Sequence, residues 1–243
     1  MKGAIYLALA VAASLSADVT RDGVPDLVAL VGERIPGSQY WQNLRLVIQN
    51  GATSVIGAID LPVMQGVSPT LFVGAFTGPD AQNILVSLPT GGSGGIVDYF
   101  IFNYENAIIE TLFNSETYNS EYQYQVDYVD NYRVAAVSQN NQKSYFIDIS
   151  QRGDDYLSPI YLPNGVVRQP LQGFVNPLSG LYPIDFDGDG VYALQAWQKI
   201  AGLSNADTLG YFLNRLEWIG TQFVLTDQLV GIPGTELTPI QPR

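Results

Sequence analysis

The sequence predicts an all-β protein made of a repeated unit. Acidic or polar loops start at residues 18, 75, 127 and 185, so the period lies between 52 and 58 residues. Short apolar runs flank each loop, and turn sequences such as Gln49-Asn50-Gly51 separate them. Four short strands in a unit of this length are typical of a propeller blade. We therefore expect a β-propeller of four or five four-stranded antiparallel blades.

The repeat divides the chain into four units, which we place at about 1–65, 66–120, 121–175 and 176–230 of a single domain. Residues 231–243 contain three prolines and are expected to form an extended tail. The predicted strands are 6–17, 27–31, 44–49 and 54–61 in the first unit, 70–76, 84–88, 99–104 and 107–113 in the second, 122–128, 133–138, 144–149 and 160–167 in the third, and 181–186, 191–200, 209–218 and 223–229 in the fourth.

The first seventeen residues have two interpretations. One lysine followed by an apolar run and small residues is typical of a secretory signal. The same apolar run also suits a strand that is buried on both faces. Cleavage near Ala17 would remove the strand that enters the first acidic loop, so we favour a strand that stays in the protein.

Composition excludes several classes of function. The chain has neither Cys nor His, which rules out disulfides, thiolate nucleophiles, His-containing catalytic triads and His-ligated zinc. It has 23 acidic residues against 11 basic ones and a net charge of −12, so a nucleic-acid partner is not expected. No stretch approaches the twenty or so apolar residues that a membrane span needs.

Two acidic loops have the spacing of a calcium-binding loop. Oxygen-bearing residues stand at alternate positions before a glycine, and Ca²⁺ takes six to eight oxygen ligands. Carboxylates are few, so we expect one or two weak structural sites. The alternative is a turn in which the Asp side chains bind backbone amides. The candidate metal ligands are Asp18, Thr20, Asp22, the Val24 carbonyl and Asp26 in the first loop, and Asp185, Asp187, Asp189 and the Val191 carbonyl in the fourth.

The two remaining loops have lost most of these acids. Residues 75–83 keep the frame without the ligands, and we expect that loop to bind no metal. In the loop at 127–131 the turn interpretation is favoured for Asp127 and Asp130.

Asp18-x-Thr20-x-Asp22-Gly23-x-x-Asp26-Leu27 and Asp185-x-Asp187-x-Asp189-Gly190 resemble the FG-GAP/VCBS repeats of integrin-alpha-like calcium-binding propellers. The chain looks most similar to the small VCBS-repeat proteins of spore-forming Firmicutes. The resemblance implies a β-propeller, calcium as a structural ion, and adhesion or surface roles rather than catalysis. It also implies an extracellular, cell-surface or spore-surface location.

We therefore expect a non-enzymatic calcium-binding surface protein that mediates adhesion or protein interaction through its propeller faces. The expected partner is a protein or glycan at a surface, or further copies of the chain as an oligomer or polymer. One alternative is a self-assembling coat or fibre subunit. Another is a carbohydrate-active enzyme with paired carboxylates, although no spacing singles out two of the available acids. We predict no catalytic residues.

Tyrosines are unusually dense in the third unit. Alternation along residues 121–124 gives one aromatic face and one polar face. Such a face either packs against a neighbouring sheet or binds a ligand, because flat aromatic rings suit sugars and protein partners. The first interpretation is favoured. The residues concerned are Tyr118, Tyr122, Tyr124, Tyr128, Tyr132 and Tyr145.

Overall fold

The computed structural model describes residues 8–34 and 37–234, and within them the strands form four antiparallel sheets. The first sheet contains β1 (Ala8–Ala17), β2 (Asp26–Arg34), β3 (Tyr40–Gln49) and β4 (Ile56–Asp60), with β5 (Gln65–Val67) paired to β3. The second sheet contains β6 (Thr70–Gly74), β7 (Asn83–Pro89), β8 (Val97–Glu105) and β9 (Ile108–Asn114).

The other two sheets follow in the second half of the chain. The third contains β10 (Tyr124–Val129), β11 (Arg133–Ser138) and β12 (Lys143–Asp148). The fourth contains β13 (Phe174–Ile184), β14 (Ala193–Ala201), β15 (Thr208–Ile219) and β16 (Gln222–Gly231). Two short helices, α1 (Ser115–Glu121) and α2 (Asp154–Leu157), precede and follow the third sheet. The prediction of an all-β fold with antiparallel sheets is confirmed.

The first and second sheets pack face to face over an apolar core. Leu44, Leu46 and Ile48 alternate along β3 and are buried, because strand side chains alternate between the two faces of a sheet. They pack against residues of β7 and β8 that include Val86 and Phe102. The opposite face of the first sheet has no such cover within the described residues.

One face of the fourth sheet packs against both the second and the third sheet. At one end of that face, Leu194 and Leu216 join a cluster with Ile101 of the second sheet. At the other end, Ile200 and Phe212 join a cluster with residues of the third sheet. The seam between these two apolar ends is filled by polar side chains, and it is where the candidate site lies.

The propeller prediction is not confirmed, because the described residues show no closed ring. The three apolar clusters link the first sheet to the second, the second to the fourth and the fourth to the third. That order differs from the order of the sheets along the chain. Packing between sheets is a long-range property that the repeat spacing does not determine.

Two local predictions are corrected by the structure. Residues 160–167 do not form a strand, since Tyr161 and Val167 make only one bridge across a turn in which Gly165 donates to the Leu162 carbonyl (2.8 Å). Helix α1 was not predicted, although Asn114 caps it by accepting from the N–H of Glu116 (2.8 Å).

The predictions for the two ends of the chain are only partly covered by the residues that the structure describes. β1 agrees with the predicted first strand from Ala8 onwards, but Leu9 and Val11 are exposed, so the expectation that this strand is buried on both faces is wrong. Residues 1–7 and most of the predicted tail, 235–243, lie outside the described ranges. Retention or cleavage of the N-terminal segment stays a prediction. Within residues 8–34 and 37–234, no helix is long and apolar enough to cross a membrane.

Candidate functional site

The first acidic loop connects β1 to β2 and is closed by its own carboxylates. Asp18 accepts the N–H of Asp22 on Oδ1 (3.1 Å) and that of Gly23 on Oδ2 (2.8 Å). Asp22 Oδ1 accepts from Val24 N–H (2.9 Å). Hydrogen bonds from Asn50 first, and then from Val24, lower the pKa of Asp22. The contacts are those of an Asx-type turn.

Asp26, the last predicted ligand of that loop, is a buried brace. Its carboxylate accepts from the Thr20 N–H (2.9 Å), the Thr20 hydroxyl (3.3 Å) and the Gly51 N–H (2.9 Å). Asn50 adds bonds from Nδ2 to Thr20 Oγ1 (3.1 Å) and to Asp22 Oδ2 (2.8 Å). These bonds fasten the acidic loop to the turn between β3 and β4.

The second loop has the same brace in neutral form. Asn83 occupies the position that corresponds to Asp26 and is fully buried. Its Oδ1 accepts from the N–H of Phe76 (3.1 Å), and from the N–H and hydroxyl of Thr77 (both 3.2 Å). The recurring residue at this position therefore holds a loop onto the end of a strand in both sheets.

The fourth loop repeats the backbone contacts of the first. Asp185 accepts from the N–H groups of Gly188 (2.7 Å), Asp189 (3.2 Å) and Gly190 (3.0 Å), and Asp189 Oδ1 accepts from Val191 N–H (2.8 Å). The bond from Gly190 contributes most to a lowered pKa of Asp185. No buried carboxylate corresponds to Asp26 here, because Ala193 occupies that position.

Asp187 points instead to a protein cation. It lies 3.4 Å from Nη2 of Arg215, whose guanidinium also stands 4.3 Å from the centre of the Phe186 ring. Nε of Arg215 is 2.7 Å from a carboxylate oxygen of Glu217. Together with Trp218 these residues line a cavity of about 270 Å³. The positive charge of Arg215 cancels part of the negative charge that would attract a metal ion to Asp187.

The structure does not bring the two acidic loops together. The first lies at the end of the first sheet and the fourth at the end of the fourth sheet. No three acidic side chains in residues 8–34 and 37–234 are grouped so that they could hold a metal ion. The carboxylates of Asp18 and Asp185 bind backbone amides, as the turn interpretation predicts, and calcium binding at either loop stays a prediction.

One carboxylate pair is relevant to the enzyme alternative. Burial, and then the negative charge of Glu116, raise the pKa of Asp98. Neither residue lines the cavities described in this section. Asp98 and Glu116 therefore do not provide a site for catalysis by paired carboxylates in either cavity.

A second cavity, of about 320 Å³, opens at the seam of the fourth sheet, between β10, β13 and the end of α1. The rings of Tyr122, Tyr124 and Phe174 line it, and no Asp, Glu, Lys or Arg does. Burial raises the pKa of Tyr124 to about 12 and also raises that of Tyr122, so both phenols are neutral at pH 7. Six amide side chains complete the lining: Asn119, Gln123, Gln125, Gln172, Asn176 and Gln198.

Gln198 is the most buried of these amides, with 3% of its surface exposed. Its Oε1 accepts from the Tyr124 hydroxyl (2.8 Å). Its Nε2 has no hydrogen-bond partner among the residues that the structure describes. The cavity therefore presents one free amide donor, which can bind an oxygen acceptor of a ligand.

The tyrosine pattern of the sequence indicates the aromatic part of this site, but no pattern indicates the amides. Tyr124 stacks on Phe212 of the fourth sheet at 4.2 Å between ring centres, as the packing interpretation predicts, and it also lines the cavity. The six amides are spread from residue 119 to residue 198 with no regular spacing. Only the packing of the third sheet and α1 against the fourth sheet brings them together.

Comparison with known proteins places the chain in a family. It is 43% identical over 229 residues to "Uncharacterized protein YybI" of Bacillus subtilis (strain 168), covering 94% of this chain and 87% of that protein. The chain belongs to the YybI family. The sequence model of the YybI C-terminal domain matches residues 122–231, which contain the third and fourth sheets and all the cavity amides except Asn119. No solved structure matches the chain.

The resemblance to FG-GAP/VCBS repeats is wrong, since the matches are to the YybI C-terminal domain and to YybI itself. The residues that suggested it have a general structural role. An Asp at the start of a tight loop satisfies successive backbone amides, and a glycine takes the left-handed conformation that the turn requires, as at Gly23 (φ 86°) and Gly190 (φ 85°). Such a loop joins neighbouring strands in unrelated sheets.

Proposed function

We propose that the protein is a non-enzymatic binding protein whose seam cavity holds a neutral, hydrogen-bonding ligand. The observation that supports this best is an uncharged lining in a chain of net charge −12. A charged ligand entering this cavity would lose hydration without gaining a counter-ion, which is costly. Amides offer both donors and acceptors to a neutral polar molecule.

Two further features support the proposal. The cavity lies almost entirely in residues 122–231, the part matched by the family's C-terminal domain. It is formed by neighbouring sheets, so binding needs neither a closed propeller nor calcium. An exposed location at a cell or spore surface, with a glycan or protein partner, remains part of the proposal.

The test compares two exposed phenylalanines. Phe174→Arg places a cation in the cavity, while Phe146→Arg makes the same change on the exposed side of the third sheet. Melting temperatures are measured with neutral oligosaccharides, anionic oligosaccharides and basic peptides. We expect neutral probes to raise the melting temperature of the wild type and of Phe146→Arg, but not that of Phe174→Arg. Stabilisation by charged probes alone, or identical behaviour of the two variants, would contradict the proposal.

Self-assembly is a second candidate, supported by two exposed apolar sheet faces. On the first sheet, Leu27 and Ile56 lie in one row across the strands and are exposed, as are Leu9 and Val11 of β1. On the fourth sheet, Trp197 and Leu229 lie on the face opposite the core. Exposed apolar patches of this kind favour association.

Sedimentation velocity over a range of concentrations tests this second candidate. We expect a larger species to form with concentration in the wild type, and Leu27→Lys with Ile56→Lys to shift the distribution to monomer. A monomer at every concentration would exclude assembly through these faces.

A further inference from the structure

We infer that the ligand of the seam cavity is a neutral carbohydrate, and that Gln198 binds it as a hydrogen-bond donor. The inference rests on the proposed function and adds the ligand class and the residue that determines specificity. It follows from a chain of hydrogen bonds that crosses the buried face of the fourth sheet.

The chain of hydrogen bonds starts at the turn between β11 and β12. Asn141 Nδ2 donates to Gln228 Oε1 (3.1 Å), and Gln228 Nε2 donates to Asn214 Oδ1 (2.8 Å). Asn214 Nδ2 donates to the Tyr124 hydroxyl oxygen (2.9 Å). The Tyr124 hydroxyl donates to Gln198 Oε1 (2.8 Å). Each group accepts from the preceding residue and donates to the next.

Burial couples the orientations of these amides. Asn214 is fully buried and Gln228 is 2% exposed, so reversing either amide alone would place two donors or two acceptors together without water. The second hydrogen of Asn214 Nδ2 donates to the Tyr118 hydroxyl (2.6 Å), so both hydrogens of this amide are used. In this arrangement the Oε1 of Gln198 is occupied by the Tyr124 hydroxyl, and Nε2 is its free group.

A free donor at this position favours a ligand with an oxygen acceptor. Sugar hydroxyl and ring oxygens meet this requirement. Gln125 and Gln172 donate from Nε2 to Asp127 (2.7 and 2.9 Å), so their side-chain oxygens stay available to accept from neighbouring hydroxyls. The rings of Tyr122 and Phe174 offer apolar surface to the C–H face of a sugar, and Phe174 is 41% exposed. The volume of about 320 Å³ lies at the lower end of small-ligand sites, which suits a short oligosaccharide end.

An extended peptide fits the same cavity poorly. Peptides commonly bind by adding a strand to the edge of a sheet, and β10 and β13 are the edge strands that line this cavity. The outer edge of β10 is already bonded within the chain, since Gly173 N–H donates to the Val126 carbonyl (2.9 Å) and Tyr128 N–H to the Leu171 carbonyl (3.0 Å). β13 is the second edge. Its ladder is interrupted between Val175 and Leu178, where Pro177 supplies no N–H. Proline and irregular pairing at an edge oppose strand addition.

The chain of hydrogen bonds from Asn141 to Gln198 is tested first, without any ligand. In ¹⁵N-labelled protein, the side-chain amide signals of Gln198 are identified by their loss in Gln198→Met. We expect them to be displaced from the positions typical of exposed glutamine, and to move towards those positions in Asn214→Leu. Signals that are already those of a freely rotating amide in the wild type would show that this chain of hydrogen bonds does not hold Gln198. They would leave the proposed function standing.

Specificity is then tested with maltotriose, cellotriose, chitotriose and xylotriose, and with a neutral capped tripeptide. We expect at least one trisaccharide to bind the wild type, with affinity reduced tenfold or more in Gln198→Met. In the control Gln222→Met, at the exposed start of β16, affinity should stay within twofold of the wild type. Equal affinity in wild type and Gln198→Met would overturn the role of Gln198. Binding of the tripeptide alone would overturn the carbohydrate class, and binding of no neutral probe would overturn the proposed function as well.

Discussion

The two large interfaces of this protein keep their buried polar groups in different places. Between the first and second sheets the strand interiors are apolar, and the buried polar residues Asp26, Asn50 and Asn83 stand at strand ends and in loops. On the buried face of the fourth sheet, Gln198, Asn214 and Gln228 stand within strands. Polar groups at strand ends satisfy local backbone amides and hold loops in place. Polar groups within strands have side chains as partners and leave one donor free at a cavity.

The comparison predicts that substitutions in the two interfaces separate stability from binding. Changes to the strand-end groups should lower stability and leave ligand affinity unchanged. Changes to the mid-strand amides should lower ligand affinity and affect stability less. The Gln198 experiment tests this directly.

The largest loss of stability is expected for Asp26→Ala. Three donors from Thr20 and Gly51 lose their acceptor in a fully buried position, which is expected to cost about 3–5 kcal/mol. Urea unfolding measures the loss, with Asp80→Ala in the exposed second loop as the control. A loss no larger than that of the control would show that Asp26 does not brace the loop.

Asp207→Asn tests a clamp between α2 and the β14–β15 loop. Asp207 accepts from Tyr156 (2.6 Å), from the Leu203 N–H (3.0 Å) and from Arg152. Burial alone would raise its pKa, but these bonds outweigh burial and the pKa of Asp207 is lowered. Stabilisation is then complete above the unfolded pKa and disappears as the pH falls through the lower, folded value.

We therefore expect Asp207→Asn to cost about 2–3 kcal/mol at pH 7 and progressively less as the pH falls below about 4. Urea unfolding across this pH range, with exposed Asp155→Asn as the control, measures the difference. A loss that does not change with pH would mean that the charge on Asp207 has no part in the clamp.

A smaller effect is expected from calcium. Sites with dissociation constants on the order of 10⁻⁴–10⁻³ M would add about 0.4–1.4 kcal/mol at about 1 mM Ca²⁺. Melting curves in calcium and in excess chelator measure this, and Asp187→Asn removes a predicted ligand that binds no backbone amide of the loop. Identical curves in calcium and chelator would remove calcium from the function of both loops.

The smallest effect is a gain in stability from Asp98→Asn. The pKa of Asp98 is raised by burial and then by Glu116, so ionising this carboxyl costs more in the folded state than in the unfolded state. Stability from this group is complete below the unfolded pKa and falls as the pH rises through the folded value. We expect the variant to melt on the order of 1–2 °C higher at pH 7 and at the same temperature at pH 3. A lower melting temperature at pH 7 would contradict this assignment.

The sequence predicted strands better than it predicted their packing. Residues 133–138 were expected as a strand and form β11, because apolar side chains of this kind suit a buried strand whatever lies on either side. The frame of the acidic loops also placed Asp26 and Asn83 at corresponding positions, since both meet a local requirement of the backbone. Which sheet packs on which depends on contacts between residues far apart in the sequence, such as Ile147 with Phe212 and Leu85 with Leu194.

The amide site was beyond sequence reasoning for the same reason. Gln198 and Asn214 interrupt otherwise ordinary strand patterns, and a polar residue in a strand is usually assigned to the solvent side. Only the pairing of Gln198 opposite Phe212, and of Asn214 opposite Gln228, places them on the buried face. The predicted tyrosine face was closer to the site, because Tyr124 belongs to both the packing surface and the cavity.

The shared position of the fourth sheet has a consequence during translation. The ribosome releases the second and third sheets before residues 174–231, yet these residues cover apolar surface on both earlier sheets. Leu85 of the second sheet and Val134 of the third therefore face water until the fourth sheet has been synthesised. A pause in synthesis before β13 would leave two exposed apolar surfaces on one polypeptide. Binding of chaperones to the nascent chain should therefore be strongest while residues 174–231 are being translated.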